Sequence, residues 1–250
     1  INNEIALQSV DLVIKDLKNN LLDAVLTLPI NKEGVAQIKK GFVGHTEYFS
    51  ESFAKKETLM LLCNENLKIG TITNHAPISR VSSLINSELL KTKIKICIET
   101  LKIDFLIEKP KIAILGLNPH AGDNGLIGDE ELEVISPVVR YFFENDNLVY
   151  GPYSADGFFG SGNYNSFDAI LGMYHDQALI PFKQMSFGSG VNYTAGLPVV
   201  RVSPDHGVGY DIVSRGTPSI KSLISAIFLA RKIYGNRKVY FDSIRKTENM

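Results

Sequence analysis

Short apolar runs alternate with amphipathic stretches along this 250-residue chain. Most of the runs end near Pro, Gly or Asn, and apolar runs bounded in this way are typical of buried strands. The predicted strands are residues 24–28 (ended by Pro29), 58–62, 67–73, 111–117, 167–173 and 198–202. Because these runs alternate with stretches of helical period, the pattern predicts an α/β protein.

Between the strands, apolar residues recur at the spacing of one helix face. The predicted helices carry Val10, Val13, Ile14 and Leu17; then Val81, Leu84, Ile85, Ile94, Ile98 and Leu101; then Leu132, Ile135, Val139 and Phe142; and finally Ile220, Leu223, Ile224, Ile227 and Phe228. Asp129 is expected to cap the third of these helices and Pro137 to kink it. The last helix is expected to have Thr217 as its N-cap and Pro218 at its first position, and to end at Gly235.

Composition excludes some functions. The chain has 26 Lys and Arg against 27 Asp and Glu, so nucleic-acid binding is disfavoured. No apolar stretch approaches the roughly 18 residues of a membrane span. A cytoplasmic location is therefore expected, although the chain begins with Ile1 rather than Met. Cys63 and Cys97 fall in apolar segments and are predicted to be reduced core residues rather than a disulfide.

Three histidines follow predicted strands. His75 comes after LKIGTITN, His120 after KIAILGLNP and His175 after FDAILGMY. A single histidine in this position is more often structural than functional. If the three strands are parallel neighbours, however, their carboxyl ends share one edge, where ligands bind in open α/β sheets. The set therefore predicts a divalent-metal site made of three neutral imidazoles.

Polar residues near other strand ends indicate a small anionic substrate. Lys183, Asn192 and Arg201 suit a phosphate or carboxylate group, although each one alone is equally consistent with an ordinary surface residue. The nearest glycine cluster, Gly157, Gly160 and Gly162, has the wrong spacing for a GxGxxG dinucleotide motif. A Rossmann-type nicotinamide site is therefore not indicated.

Several longer motifs together are similar to those of one family. The segments GHTEYF, NPHAGDNGLIGDEE, DAILGMYHDQALIPFK and GVNYTAGLPVVRVSPDHG closely resemble the 4-hydroxythreonine-4-phosphate dehydrogenases of pyridoxal phosphate biosynthesis. The similarity runs from about Leu22 through the last helix. It implies a two-domain αβα architecture like that of isocitrate and isopropylmalate dehydrogenases, with a cleft between the domains. In such proteins the dinucleotide binds without a Rossmann glycine loop.

The resemblance also implies roles for individual residues. The metal ligands would be His75, His120 and His175, and the catalytic residues Lys183 and Asp156. Substrate contacts would be His45, Thr46, Lys183, Asn192 and Arg201, and cofactor contacts Asp205, His206, Gly207 and Asp211. Lys183 would either relay a proton or hold the phosphate, and Asp156 or Asp176 would orient a ligating histidine.

The family's activity is the NAD- or NADP-dependent oxidation of 4-phosphohydroxy-L-threonine. It needs one divalent ion (Zn, Mg or Co), and the product decarboxylates to 3-amino-2-oxopropyl phosphate. Members are homodimers with the site at the subunit interface. The implied domains are residues 1–37 with 186–250 on the cofactor side, and 38–185 for metal, substrate and dimerisation. The chain departs from the family in lacking the usual N-terminal GDPAGIGPE segment and in having Gly157 in place of the Thr of an ADT motif.

Three other functions fit the same residues. The nearest is a paralogous dehydrogenase of a four-carbon sugar-acid phosphate such as erythronate or threonate 4-phosphate, which would keep the same histidines. Another is a non-catalytic metal- or ligand-binding relative. A third is a zinc hydrolase, because three histidines and a water also form a hydrolytic site. No further hydrolase motif supports the last of these.

Overall fold

In the computed structural model, which describes residues 3–186, 188–210, 216 and 219–248, the chain forms two compact units. Unit 1 comprises Ile1–Thr58 and Gly188–Met250, and unit 2 comprises Leu59–Phe187. Residues 38–58 therefore belong to unit 1, whereas the resemblance assigned them to the metal and substrate domain. The cofactor and dimerisation roles of the two parts stay predictions.

Unit 1 contains a set of paired strands. Its elements are α1 (Asn3–Lys18), β1 (Ala24–Leu26), α2 (Lys32–Ile38), α3 (His45–Ser52), β7 (Val191–Ala195), β8 (Val200–Pro204) and α9 (Lys221–Glu248). Strand β8 pairs in parallel with β1 and antiparallel with β7. The buried stripe of α1, Val10, Ile14 and Leu17, packs with Val25 and Phe49, as its helical spacing predicts.

Unit 2 holds the mostly parallel sheet. Its elements are β2 (Leu59–Cys63), β3 (Lys68–Thr71), α4 (Ile78–Leu84), α5 (Ser87–Asp104), β4 (Ile112–Leu115), α6 (Ser136–Glu144), β5 (Val149–Tyr153), α7 (Ala155–Gly160), β6 (Ala169–Gly172) and α8 (His175–Ser186). The strand order is β2-β3-β6-β4-β5. Only the β2–β3 pair is antiparallel.

The central strands of unit 2 are apolar throughout. Every residue of β2, β4 and β6 is buried, as expected for strands covered on both faces. Strand β6 lies between β3 and β4 and is parallel to both. The prediction that the strands before His75, His120 and His175 are parallel neighbours is thus confirmed.

Two strands were not predicted. Strand β7 contains the polar residues Asn192 and Thr194 among apolar ones, so it lacks a continuous apolar run. Strand β5 contains Gly151 and Pro152 and is the last strand in the order. A strand in this edge position tolerates a proline, which has no backbone N–H to donate.

The helical stretch predicted across residues 81–101 is two helices. The break falls after Leu84, and the side chain of Asn86 caps α5 by accepting a hydrogen bond of 2.9 Å from the Leu89 N–H. Val81 of α4 and Ile94 of α5 lie in the core.

The boundaries of the other predicted helices also change. A π-helical turn, Glu131–Ile135, leads into α6, and Pro137 lies in the first turn of α6, where its missing N–H costs little. Helix α9 runs from Lys221 through Gly235 to Glu248, so the predicted end at Gly235 is wrong. The predicted cap residues Thr217 and Pro218 lie outside the described residues.

The cysteine prediction is confirmed. Cys63 and Cys97 are both buried and free, and burial raises the pKa of the Cys63 thiol to about 12. None of the described helices is both long and apolar enough to cross a membrane.

Candidate metal and anion site

Two of the three predicted metal ligands lie side by side in unit 2. His75 follows β3, His175 begins α8 directly after β6, and their ring centroids are 5.9 Å apart. Two imidazoles that bind one ion at about 2.0–2.1 Å from nitrogen to metal have centroids roughly 5 Å apart. The pair is therefore spaced nearly as two ligands of a single ion.

The orientation of His175 is set by its neighbour in the chain. The Nδ1 atom of His175 lies 2.7 Å from Oδ1 of Asp176. A carboxylate at this distance favours a proton on Nδ1, which leaves Nε2 as the ligating nitrogen. Of the two aspartates proposed to orient a histidine, Asp176 is thus the one that contacts an imidazole ring.

His120 lies in the 3₁₀ turn Pro119–Gly125 that follows β4, and its side chain is exposed. Hydrogen bonds from Ser154 and from the Gly157 amide hold the pKa of Asp156 below its usual value, and His120 adds a smaller effect in the same direction. Across the described ranges, no three His, Cys, Asp or Glu residues form a ready metal-binding group. Within one chain, His75 and His175 therefore lie side by side, whereas His120 lies near Asp156.

Unit 1 contains a buried cation. Arg201 on β8 is 3% exposed, and its guanidinium donates hydrogen bonds to three threonine hydroxyls. The distances are 2.6 and 3.2 Å to Thr27, 2.9 Å to Thr194 and 3.3 Å to Thr46. Burial lowers the pKa of Arg201 to about 10, an effect that Glu47 opposes. The side chain thus stays charged at pH 7.

The other predicted substrate residues of unit 1 surround Arg201. Burial, followed by the charges of Arg201 and Lys32, lowers the pKa of His45 to about 3, so the His45 imidazole is neutral at pH 7. Asn192 is on the same face of β7 as Thr194, and its Oδ1 is buried without a hydrogen-bond partner within the described part of the chain. Thr46 thus contacts Arg201, His45 lies within range of its charge, and Asn192 lies two residues before Thr194, which also contacts Arg201.

Lys183 and the predicted cofactor residues lie on separate segments of the chain. Lys183 is exposed on α8, about 12 Å further along the helix axis than His175. Asp205, His206 and Gly207 follow β8, where the Asp205 N–H donates to Ser222 Oγ at 2.9 Å and His206 Nδ1 lies 2.9 Å from the Gly207 carbonyl. Asp211 lies outside the described residues.

Sequence reasoning missed the residues that support the site. Thr27 and Thr194 hold Arg201, Gln177 links two strand exits, and Glu131 binds the turn that carries His120. Only motif context could have indicated them, because Glu131 lies in GDEE directly after the His120 motif and Gln177 in HDQ directly after His175.

The chain has the α/β fold of solved 4-hydroxythreonine-4-phosphate dehydrogenases. The protein from Klebsiella pneumoniae matches with a TM-score of 0.80 at 33% identity, covering 93% of this chain and 71% of that one. The protein from Burkholderia phymatum matches with a TM-score of 0.72 at 34% identity, covering 91% and 68%.

The chain belongs to the family of the pyridoxal phosphate biosynthetic protein PdxA, whose model matches residues 1–230. A 4-hydroxythreonine-4-phosphate dehydrogenase from Bacteroides thetaiotaomicron is 45% identical over 234 residues, which are 93% of this chain. The chain spans 64% of the length of that relative.

Proposed function

We propose that this protein acts as a 4-hydroxythreonine-4-phosphate dehydrogenase in the synthesis of pyridoxal 5'-phosphate. It would oxidise 4-phosphohydroxy-L-threonine with NAD+ or NADP+, and the 3-oxo acid formed would lose CO2 to give 3-amino-2-oxopropyl phosphate. The observation that carries the proposal is the His75–His175 pair, 5.9 Å apart at the carboxyl edge of a parallel sheet in a chain of this family.

The donor set fits a divalent ion. His75, His120 and His175 would hold it, since neutral imidazoles suit Zn2+ and Co2+, and Mg2+ is the third candidate by family resemblance. When bound, such an ion acts as a Lewis acid that makes an alcohol easier to deprotonate. Asp176 keeps the His175 ring in place through the 2.7 Å contact at Nδ1.

The substrate's anionic groups would be held by Arg201 and Lys183. Arg201 is a permanent cation whose position is fixed by three threonine hydroxyls, so it can bind an anion without first being ordered. Neutral His45 and the unpartnered Oδ1 of Asn192 supply hydrogen bonds to hydroxyl or amino groups. Lys183 would either relay a proton or hold the phosphate, and its distance from the imidazole pair favours the second role.

Cofactor binding and assembly are also parts of the proposal. Asp205, His206, Gly207 and Asp211 would contact the adenosine part of NAD or NADP, at a loop that begins where β8 ends. The protein would be a cytoplasmic homodimer with the site at the subunit interface. The exposure of His75 and His120 on one chain supports an interface at this edge.

The test is nicotinamide reduction at 340 nm with 4-phosphohydroxy-L-threonine, each dinucleotide and added divalent metal, before and after chelation. Metal-dependent reduction that is lost in folded His120→Ala protein is expected. Full activity of metal-free His120→Ala would disprove the mechanism. Activity only with erythronate or threonate 4-phosphate would identify the paralogous enzyme, and no activity with any of these substrates would indicate a non-catalytic binder.

A further inference from the structure

The turn that carries His120 has an unfavourable backbone conformation. His120, Ala121, Asp123 and Asn124 have φ angles of 53°, 51°, 43° and 55°. Residues with a side chain rarely adopt this left-handed region, and a run of them persists only where the surroundings hold it. Something outside the turn must therefore stabilise it.

The stabilising group is the buried carboxylate of Glu131. Its side chain is 2% exposed, and its Oε1 accepts hydrogen bonds of 2.7 Å from the backbone N–H groups of both Leu117 and Asn118. Its Oε2 accepts a third, of 2.9 Å, from Asn118 Nδ2. Three N–H groups directed at one carboxylate fix the backbone immediately before His120.

Two glycines let the carboxylate approach the turn closely. A Cβ on Gly122 (φ +79°) would lie 2.7 Å from Glu131 Oε2, and a Cβ on Gly116 would lie 2.9 Å from the Cα of Ala121. Both distances are too short for a real contact, so the turn and the carboxylate fit together only with glycine at these positions.

A second side chain links this turn to the exit of the neighbouring strand. Gln177 donates from Nε2 to the Gly116 carbonyl at 2.7 Å, and its Oε1 accepts a hydrogen bond of 2.6 Å from the Met173 N–H. Gly116 directly follows β4, and Met173 directly follows β6 and precedes His175. The segments that carry His120 and His175 are thus tied together through one amide group.

We propose that Glu131 is a positioning residue for the metal site, which holds the His120 turn in the conformation that lets its imidazole act as a ligand alongside His75 and His175. The proposal rests on the proposed function, because it assumes that these histidines bind one divalent ion. Glutamine cannot replace Glu131, since an amide offers one acceptor oxygen and turns an N–H toward donors that need a partner.

The test is a titration of the purified protein with Co2+, followed by its visible absorption, which reports the number and type of ligands. Glu131→Gln is compared with wild type, with His120→Ala, and with Glu133→Gln as the matched control on the exposed face of the same turn. We expect Glu131→Gln to bind Co2+ about 10–100-fold more weakly and to show the spectrum of His120→Ala. Glu133→Gln should match wild type in both respects.

Each outcome separates the two proposals. If His120→Ala changes Co2+ binding but folded Glu131→Gln behaves as wild type, the positioning role is wrong and the metal site stands. If wild type binds no Co2+, or His120→Ala binds it unchanged, the metal site itself is wrong and the positioning role falls with it. Circular dichroism checks folding. If Glu131→Gln does not fold, Asn118→Ala takes its place, and wild-type affinity in that variant overturns the proposal.

Discussion

At the scale of single residues, the most consequential side chain is Arg201. Burying a charged group is costly unless it is paired, and hydroxyls compensate it less well than a carboxylate does. The Thr27, Thr46 and Thr194 hydroxyls fix the guanidinium's orientation and leave its charge available to an anionic ligand.

Thr194→Val should weaken both stability and substrate binding. Valine keeps the shape but removes the acceptor of a 2.9 Å hydrogen bond from Arg201, and an unsatisfied buried donor costs about 1–3 kcal/mol. We expect urea unfolding to show a loss of that size, and the dissociation constant for the phosphorylated substrate to rise about tenfold. Thr194→Ser retains the hydroxyl and serves as the control. A Val variant with unchanged substrate affinity would exclude this role for Thr194.

His45 should make stability depend on pH. Its folded pKa is lowered from 6.5 to about 3, mainly by burial, so between these values the unfolded chain takes up a proton that the folded chain does not. Stability therefore falls as pH falls through this window, by up to about 1.4 kcal/mol per pH unit. Unfolding free energies at pH 7 and pH 5 should differ less in His45→Gln than in wild type. An equal difference in both proteins would show that His45 titrates normally.

At the scale of elements, the regular parts of the fold were predictable and the exceptions have physical causes. Continuous apolar runs specify β2, β4 and β6, since buried strands need no polar face. Strand β7 was missed because the polar residues Asn192 and Thr194 interrupt its apolar pattern, and Thr194 accepts a hydrogen bond from Arg201. The histidines were found because they follow the apolar runs of β3, β4 and β6, whereas Glu131 was not, since its hydrogen-bond partners depend on tertiary structure.

A substitution at Gly235 tests whether α9 continues past this residue. The glycine lies inside the helix, and an added Cβ would meet no atom within 4 Å. Gly235→Ala should therefore stabilise the protein by roughly 0.5–1 kcal/mol, because alanine loses less entropy in a helix. Thermal unfolding checks this, with Gly162→Ala as a contrast, since the positive φ of 76° there makes alanine unfavourable. Destabilisation by Gly235→Ala would instead indicate that the helix ends there.

At the scale of the whole molecule, ligand binding should be visible as a gain in stability. An ion held by His75 and His175, as proposed, would join the exits of two adjacent strands and would bind only the folded chain. At a free concentration a hundred times the dissociation constant, Zn2+ should add about 2.7 kcal/mol, measured as a rise in the unfolding temperature. His75→Ala should lose this rise. A rise of equal size in His75→Ala would mean that the ion binds elsewhere.

The reactivity of the two buried thiols can report how often unit 2 opens. Cys63 in β2 and Cys97 in α5 both belong to unit 2, and burial raises the pKa of each, so neither reacts as a thiolate while the core is closed. A thiol reagent should therefore label the native protein only as fast as unit 2 opens. The labelling rate then reports how often the sheet that carries the histidines comes apart, without any engineered label.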